Sequence, residues 1–402
     1  MKISVRDKIK AGVARYGDDI VGYRRHLHAH PETGYETKET ERFVREILNG
    51  EGIEILPSKL GVIAMVRAGG ERKPGAVALR ADMDALPLQE LNEVCYKSSV
   101  PGKMHACGHD GHTAMLLGAA RIINSIRGEL EHDVIFFFQP AEEGPFPGGA
   151  APMLEEVEQS SLIKEIEAAA ALHLTTEYEN GKVIIRYGSA MASTDEIDVE
   201  IIGKGGHVGL PHKAIDALSI AAEYVKQMES FMSRRIDPFD SAVFGIGRLV
   251  AGTVRNIIPE RAEMQVSLRC QREETRAFVL ENAEKILKAL CESSGADYTF
   301  EIRHGLPVLV NDRNTTAKAE KIAAAVVGDE NIIRSEYANM GAEDFAFFSR
   351  KIPSTFIWVG AANKEKGLTY LMHNPRFDFD EEALSVGTEL LCGLAVRLGS
   401  AL

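Results

Sequence analysis

Basic residues are in deficit: Lys plus Arg number 46 against 59 Asp plus Glu, a formal net charge of −13 over 402 residues. Nucleic acids and anionic membrane surfaces bind through clustered Lys and Arg, so neither is expected as a partner. Long apolar runs are missing as well; no stretch of roughly 18 apolar residues occurs, and no bilayer span is expected. The opening segment MKISVRDKIKAGVARYGDDI carries charges throughout and lacks the apolar centre of a secretory signal. Cysteine is scarce. Cys95, Cys107, Cys270, Cys291 and Cys392 are odd in number and far apart, which argues against a disulfide framework and fits reduced thiols in a cytoplasm. A G-x-S-x-G elbow, a P-loop and a dinucleotide fingerprint after a strand are all absent.

What remains is the composition of an ordinary globular protein, 45% hydrophobic and 26% charged, in a chain longer than one compact core usually covers. Helical spacing runs through 6–50, interrupted by the His-rich segment RRHLHAHPE. Strands are expected at 62–67 and 76–80, an amphipathic helix at 113–126, and a strand buried on both faces at DVIFFFQ, 133–139. This alternation predicts an α/β layer structure with a mostly parallel central sheet. Near residue 190 the texture changes to β-α-β-β-α-β: strand 196–202, helix 214–232, strands 243–250 and 262–269, helix 274–293, strand 297–303. That order is a split βαβ unit, a four-stranded sheet with two helices. After about 305 the α/β texture returns. The expected organisation is therefore a large α/β domain (1–188 and 305–402) interrupted by a smaller α+β domain (189–304).

Ligands of an open parallel sheet gather at the carboxyl ends of its strands. Polar clusters lie at such ends: Asp82 and Asp84, the run HACGHDGH at 105–112, Glu142-Glu143 in QPAEEG, and His173 in AAAALHL; His373 is a further candidate downstream. Three His, a Cys and an Asp within eight residues favour a metal site over chance. An imidazole offers one lone pair and cannot bridge two cations, whereas a thiolate can, so Cys107 is the better bridge, with His109 on one metal. Adjacent Glu142 and Glu143, if extended, point to opposite sides, one toward metal and the other toward water. Each signal also has a bland reading: a strand-end His is commonly a packed histidine, and paired Glu residues commonly face solvent. His26, His28 and His30 look like a metal tract but are read as structural or as lining an entrance, because a helix would spread them around its circumference. A Cys-His nucleophile at Cys107 is the runner-up, but it leaves Glu142, Glu143 and the distal histidines unused.

Taken together, RRHLHAHPETGYE, RADMDALP, MHACGHDGHTAMLLGAA, FQPAEEG, ALHL, GKGGHVGLPHKAIDAL, NIIPERAE, MGAEDFAFF and HNPRFDFDEEAL resemble the dinuclear-metal aminoacylase/carboxypeptidase family. The resemblance is strongest to its amidohydrolase branch of hippurate, auxin-conjugate and aminobenzoyl-glutamate hydrolases, and it covers nearly the whole chain in order. It implies Cys107, His109, Glu143, His173 and His373 as ligands of two divalent cations, manganese or zinc, and Glu142 as general base. It implies that His207 and Asn256, in the inserted lid and dimerisation domain, reach a partner subunit's site and polarise the scissile carbonyl, in a cytoplasmic homodimer. Arg269 and MGAEDF match substrate-side positions. Asp82-Met83-Asp84 stands where the wider family has His-x-Asp, a loss the branch shares, its Cys supplying a ligand instead. Two departures bear on substrate: Pro145-Phe146-Pro147 intrudes between PAEEG and Gly148-Gly149-Ala150, narrowing or reshaping the pocket, and Val208-Gly209-Leu210 replaces the usual small residues after His207.

The function these features imply is hydrolysis of the amide of a small N-acyl or N-aroyl amino acid. The alternatives are a dipeptidase or a hydrolytic deaminase of an aromatic amine using the same centre. A catalytically silent metal-binding protein on the same fold is disfavoured by the intact Glu142 and ligand positions.

Overall fold

The computed structural model describes residues 4–70 and 73–399. In chain order its main elements are α1 (Val5–Ala29), α2 (Lys38–Gly50), β1 (Glu54–Leu56), β2 (Val62–Val66), β3 (Ala76–Asp82), α3 (His109–Ser125), β4 (Asp133–Gln139), α4 (Ala150–Gln159), β5 (Ile166–Glu179) and β6 (Val183–Ile185). Next come β7 (Ser193–Ile202), α5 (Ala217–Arg235), β8 (Ala242–Ala251), β9 (Arg261–Cys270), α6 (Glu273–Ser294) and β10 (Asp297–His304). The chain closes with α7 (Arg313–Val327), β11 (Ile332–Arg334), α8 (Ala346–Lys351), β12 (Ser354–Ala362) and α9 (Glu382–Arg397). Two compact units result. The larger holds the chain up to Gly188, Val310–Tyr337 and everything from Asp344 onward; the smaller holds Ser189–Leu309 and Ala338–Glu343.

The larger unit is built on an eight-stranded sheet in the order β1-β2-β4-β3-β5-β12-β6-β11. The pairs β4-β3, β3-β5, β5-β12 and β6-β11 are parallel, while β1-β2, β2-β4 and β12-β6 are antiparallel. The sheet is thus mostly parallel, as its near-continuous apolar strands require. Alternation along β4 sorts its three phenylalanines. Phe136 and Phe138 join the core formed with α1, α3 and α9, whereas Phe137 meets Phe348 of α8 edge-on at 5.2 Å. Helices therefore cover both faces.

Helix α3 lies deep, with His109–Ala120 all buried. Its neighbours come close because it carries glycine: a Cβ at Gly118 would stand 2.5 Å from Ile20 Cδ1 of α1. The helix starts at Gly108, whose φ of 90° turns the chain sharply out of Cys107. That turn delivers Cys107 and His109 to the carboxyl edge of the sheet. Helix α1, by contrast, starts with a conventional cap, the Ser4 hydroxyl accepting the Asp7 N–H.

The smaller unit is a four-stranded antiparallel sheet in the order β8-β9-β7-β10, with α5 and α6 packed on it. Ile197, Val199 and Ile201 alternate inward with Met264, Val266 and Leu268 to meet Tyr224, Met228, Val279 and Leu287 of the helices. Asp198 and Glu200 point the other way. Segment 338–343 joins this unit through Ala192 N–H bonds to the Asn339 and Gly341 carbonyls and an Arg269 Nη1 bond to the Met340 carbonyl at 3.0 Å. No helix among the described residues is long and apolar enough to cross a membrane.

Candidate metal centre

The carboxyl ends of β3 and β4, the first turn of α3 and the middle of β5 converge with the His373 loop in the larger unit. Donor atoms of Cys107, His109 and His173 lie within 4.8 Å of one another. The same holds for Cys107, Glu143 and His373, and for His109, Glu142 and Glu143. Cys107 Sγ is 3.5 Å from His173 Nε2, and Glu143 Oε1 is 3.1 Å from His373 Nε2. His373 adopts a φ of 65°, and its N–H is tied to the Ala106 carbonyl at 2.8 Å, which fixes the distal loop beside the α3 turn.

Hydrogen bonds decide which nitrogen each histidine presents. Nδ1 of His109 is 2.9 Å from the Asp84 carbonyl oxygen, and Nδ1 of His173 is 2.7 Å from that of Leu174. A carbonyl only accepts, so both Nδ1 atoms carry a proton, and Nε2 is the nitrogen each ring can offer to a cation. The buried His109 Nε2 has no hydrogen-bond partner among the described residues. An unpartnered buried nitrogen surrounded by carboxylates and a thiol suits a cation, which would displace any proton it carries. His112 differs: its Nε2 accepts the Leu174 N–H at 2.9 Å and its Nδ1 donates to Asp82 at 2.6 Å. Both nitrogens are spent, so although Asp82, His109 and His112 lie close enough to form a fourth triad, His112 is a bracket rather than a donor.

The cluster's field is strongly negative. Burial, then Glu143, Glu142 and Asp82, push the Cys107 thiol well above its usual range. Burial opposes a charge on His109, yet Asp82, Asp84 and Glu143 outweigh it and hold its pKa at about 10. Burial and the neighbouring His112 pull His173 well down, leaving its ring neutral. Without cations such a site collects protons; cations reverse that balance and favour the thiolate.

Three arrangements differ from, or go beyond, the expectations above. Glu142 and Glu143 are not extended; they form a turn, with the Gly144 N–H reaching the Ala141 carbonyl at 3.4 Å. The cause is Asp84, whose two carboxylate oxygens accept the Glu142 and Glu143 N–H groups at 2.9 and 3.1 Å. His173 does not end its strand either, because β5 continues to Glu179. Finally, a buried charge array lies beneath the donors. Arg80 donates to Gln139 at 2.9 Å, Asp82 at 2.7 Å and Asp344 at 2.7 Å, and Asp82 passes the contact on to His112. Asp82, Asp84 and Asp344 had signals in the sequence, as strand-end or motif carboxylates, but nothing in spacing distinguishes a brace from a ligand.

His105 is buried, with neither ring nitrogen partnered among the described residues, and burial holds its pKa down at about 3. His28 belongs to a different network, bonded to Asp110 at 2.7 Å and Glu90 at 3.2 Å beside Arg24. His207 and Asn256 lie in the smaller unit. There the Val208 N–H bonds the Asn256 carbonyl at 3.2 Å, and His207 pairs with Ile257. The exposed His207 ring accepts the Gly209 N–H on Nδ1 at 3.0 Å, leaving Nε2–H as an outward donor.

The sequence pattern of peptidase family M20/M25/M40 matches residues 78–397. The chain belongs to this family. It is 38% identical over 380 residues to an N-acetylcysteine deacetylase of Bacillus subtilis (strain 168), covering 94% of this chain and 96% of that protein. It is 40% identical over 306 residues to an N-acyl-L-amino acid amidohydrolase of Geobacillus stearothermophilus, covering 76% and 81% of the two chains. Among solved structures, a Bacillus subtilis protein described as a dinuclear metal binding peptidase from the M20 family superposes with a TM-score of 0.83 at 33% identity, over 96% of this chain and 99% of that one. Like other members of the M20/M25/M40 family, the chain is a hydrolase, with a large mostly parallel sheet and an inserted smaller domain.

Proposed function

We propose that the protein hydrolyses the amide bond of small N-acyl or N-aroyl amino acids at a centre of two divalent cations. The observation that carries this reading is the position of Cys107, whose sulfur belongs to two separate donor triads, one with His109 and His173 and one with Glu143 and His373. A thiolate can serve both at once, and an imidazole cannot. Cys107, His109, Glu143, His173 and His373 would hold the pair; the thiolate suits zinc, and the carboxylate and imidazoles also suit manganese. Cations bound there supply a water of lowered pKa and a polarised amide carbonyl.

Glu142 accepts the proton of the attacking water and returns it to the leaving amine, a role supported by its Oε2 lying 3.9 Å from His109 Nε2. His207 and Asn256 present polar groups to the carbonyl in a partner subunit's site, a role the outward Nε2–H of His207 suits. The cytoplasmic protein acts as a homodimer through domain 189–304. Its edge strand β8 exposes Val243, Leu249 and Val250, an apolar edge that a second copy would cover. The decisive experiment is Glu142→Gln assayed with N-acetyl, N-benzoyl and aminobenzoyl amino acids. Turnover falls by about 10³-fold or more while metal content stays at the wild-type level. Loss of the metal together with turnover would refute this division of roles.

A further inference from the structure

We infer that Phe146 is a specificity-determining residue, packing against an apolar substituent of the substrate at the metal centre. This deepens the amide-hydrolase reading and rests on it. Phe146 is 60% exposed, so most of its ring is available to a ligand. It follows Glu143 by three residues, so its backbone lies within roughly 11 Å of a proposed ligand. Tyr370 and Leu371, 46% and 53% exposed, precede His373 in the same way. Because Glu143 and His373 are 3.1 Å apart, the two chain segments that carry these apolar groups meet at one ion pair.

The turn that carries Phe146 is braced on both sides. The Gly148 N–H bonds the Pro145 carbonyl at 3.0 Å, and the Tyr35 hydroxyl donates to the Gly148 carbonyl at 2.8 Å. At its start, a Cβ on Gly34 would sit 2.9 Å from the Gly144 carbonyl oxygen; at its end, a Cβ on Gly148 would sit 2.5 Å from Asp344 Oδ2. A ring held out on a fixed turn loses little entropy when a ligand covers it, which makes it an effective selector. The substituent it meets is either the acyl group or the amino-acid side chain; both offer the same apolar chemistry.

The test measures kcat/KM for wild type, Phe146→Ala and Phe146→Leu on two series. One varies the acyl group (acetyl, hexanoyl, benzoyl) on a fixed amino acid; the other varies the side chain (Gly, Leu, Phe) under a fixed acetyl group. In one series the preference for the large apolar member over the smallest drops by about tenfold or more in Phe146→Ala, and Phe146→Leu restores most of it. The series that responds identifies the substituent. Preferences unchanged within twofold in both series, or an equal loss on every substrate, overturn the assignment. If the wild type turns over no N-acyl amino acid, the amide-hydrolase reading fails on its own. Calorimetric binding of the same compounds then decides Phe146 separately: a preference for the apolar members that Phe146→Ala abolishes supports the role, and no preference or no binding overturns it.

Discussion

Replacing Asp84 by Asn probes how the Glu142–Glu143 turn is held. Asp84 is buried and accepts two backbone N–H groups, one per carboxylate oxygen, while its own carbonyl orients His109. Asn keeps the shape but offers a single oxygen, so its NH2 must face one of the two N–H donors. A hydrogen bond to a charged group is worth about 1.5–3 kcal/mol, and a buried N–H left facing a donor adds a desolvation cost. Part of this is returned, since burial pushes the Asp84 carboxyl above its ordinary range and Asn removes that strained charge. What remains, about 1.4–2.7 kcal/mol, falls on the placement of Glu142, Glu143 and His109 and corresponds to a 10- to 100-fold loss. Both kcat/KM on an N-acyl amino acid and metal affinity, read by competition with a chromophoric chelator, should fall by that factor, with the thermal midpoint down only a few degrees. Wild-type metal affinity and turnover in Asp84→Asn would show that the turn stands without these two bonds, and the argument would be lost.

Removing metal with a chelator should abolish turnover, and adding back manganese or zinc should restore it; full activity after exhaustive chelation contradicts the proposed centre. Gly360→Ala should destabilise the protein by about 1–3 kcal/mol in urea unfolding, because its Cβ would lie 2.3 Å from the Glu179 backbone oxygen, an obstacle that cannot rotate away. An unchanged urea midpoint would mean that β12 and β5 can separate locally. His28 supplies a pH dependence. Burial lowers its pKa and Arg24 adds to that, but Asp110 and Glu90 raise it further, so the folded value exceeds the unfolded value of about 6.5. The charged His28 therefore stabilises fully below pH ~6.5, and this contribution fades as pH rises through the folded value. The thermal-midpoint gap between wild type and His28→Gln should narrow from pH 6 to pH 9, and a constant gap would contradict the linkage. Val250→Lys on the edge of β8 should weaken dimerisation at least tenfold in sedimentation equilibrium; an unaltered dimer would locate the interface elsewhere.

How far the fold could be read from sequence depended on element length. DVIFFFQ, the 113–126 helix and the β-α-β-β-α-β run are long and strongly patterned, and β4, α3 and the smaller unit correspond to them within a few residues. Strands β1, β6 and β11 are three residues each, too short for any periodicity, and they exist because neighbouring strands offer backbone partners. Pairing direction was hidden for the same reason. The antiparallel contacts β2-β4 and β12-β6 are set by where the connections cross the sheet, and no local pattern in VIAMV or STFIWVGAA encodes that.

For the candidate centre the limit was different in kind. Residue type and spacing gathered HACGHDGH, the Glu pair, His173 and His373 into one hypothesis, and Cys107, His109, Glu142, Glu143, His173 and His373 do lie together, whereas Asp110 of that run belongs to the Arg24–His28 network. What spacing could not separate was His109 from His112, three residues apart on one helix with similar burial. Their difference comes from partners distant in the chain: the Asp84 carbonyl engages only Nδ1 of His109 and leaves Nε2 without a hydrogen-bond partner among the described residues, whereas Asp82 and the Leu174 N–H consume both nitrogens of His112. A donor is thus defined by which of its nitrogens the fold leaves unspent. The same logic separates Asp84 from Glu143, since both are buried or half-buried carboxylates at the same sheet edge. Both Asp84 oxygens are occupied by backbone N–H groups, while Glu143 turns toward His373 and Cys107. Exchanging one such partner should alter metal affinity even where no donor atom has changed, which is why Asp84→Asn is a sharper probe of the centre than removal of any ligand.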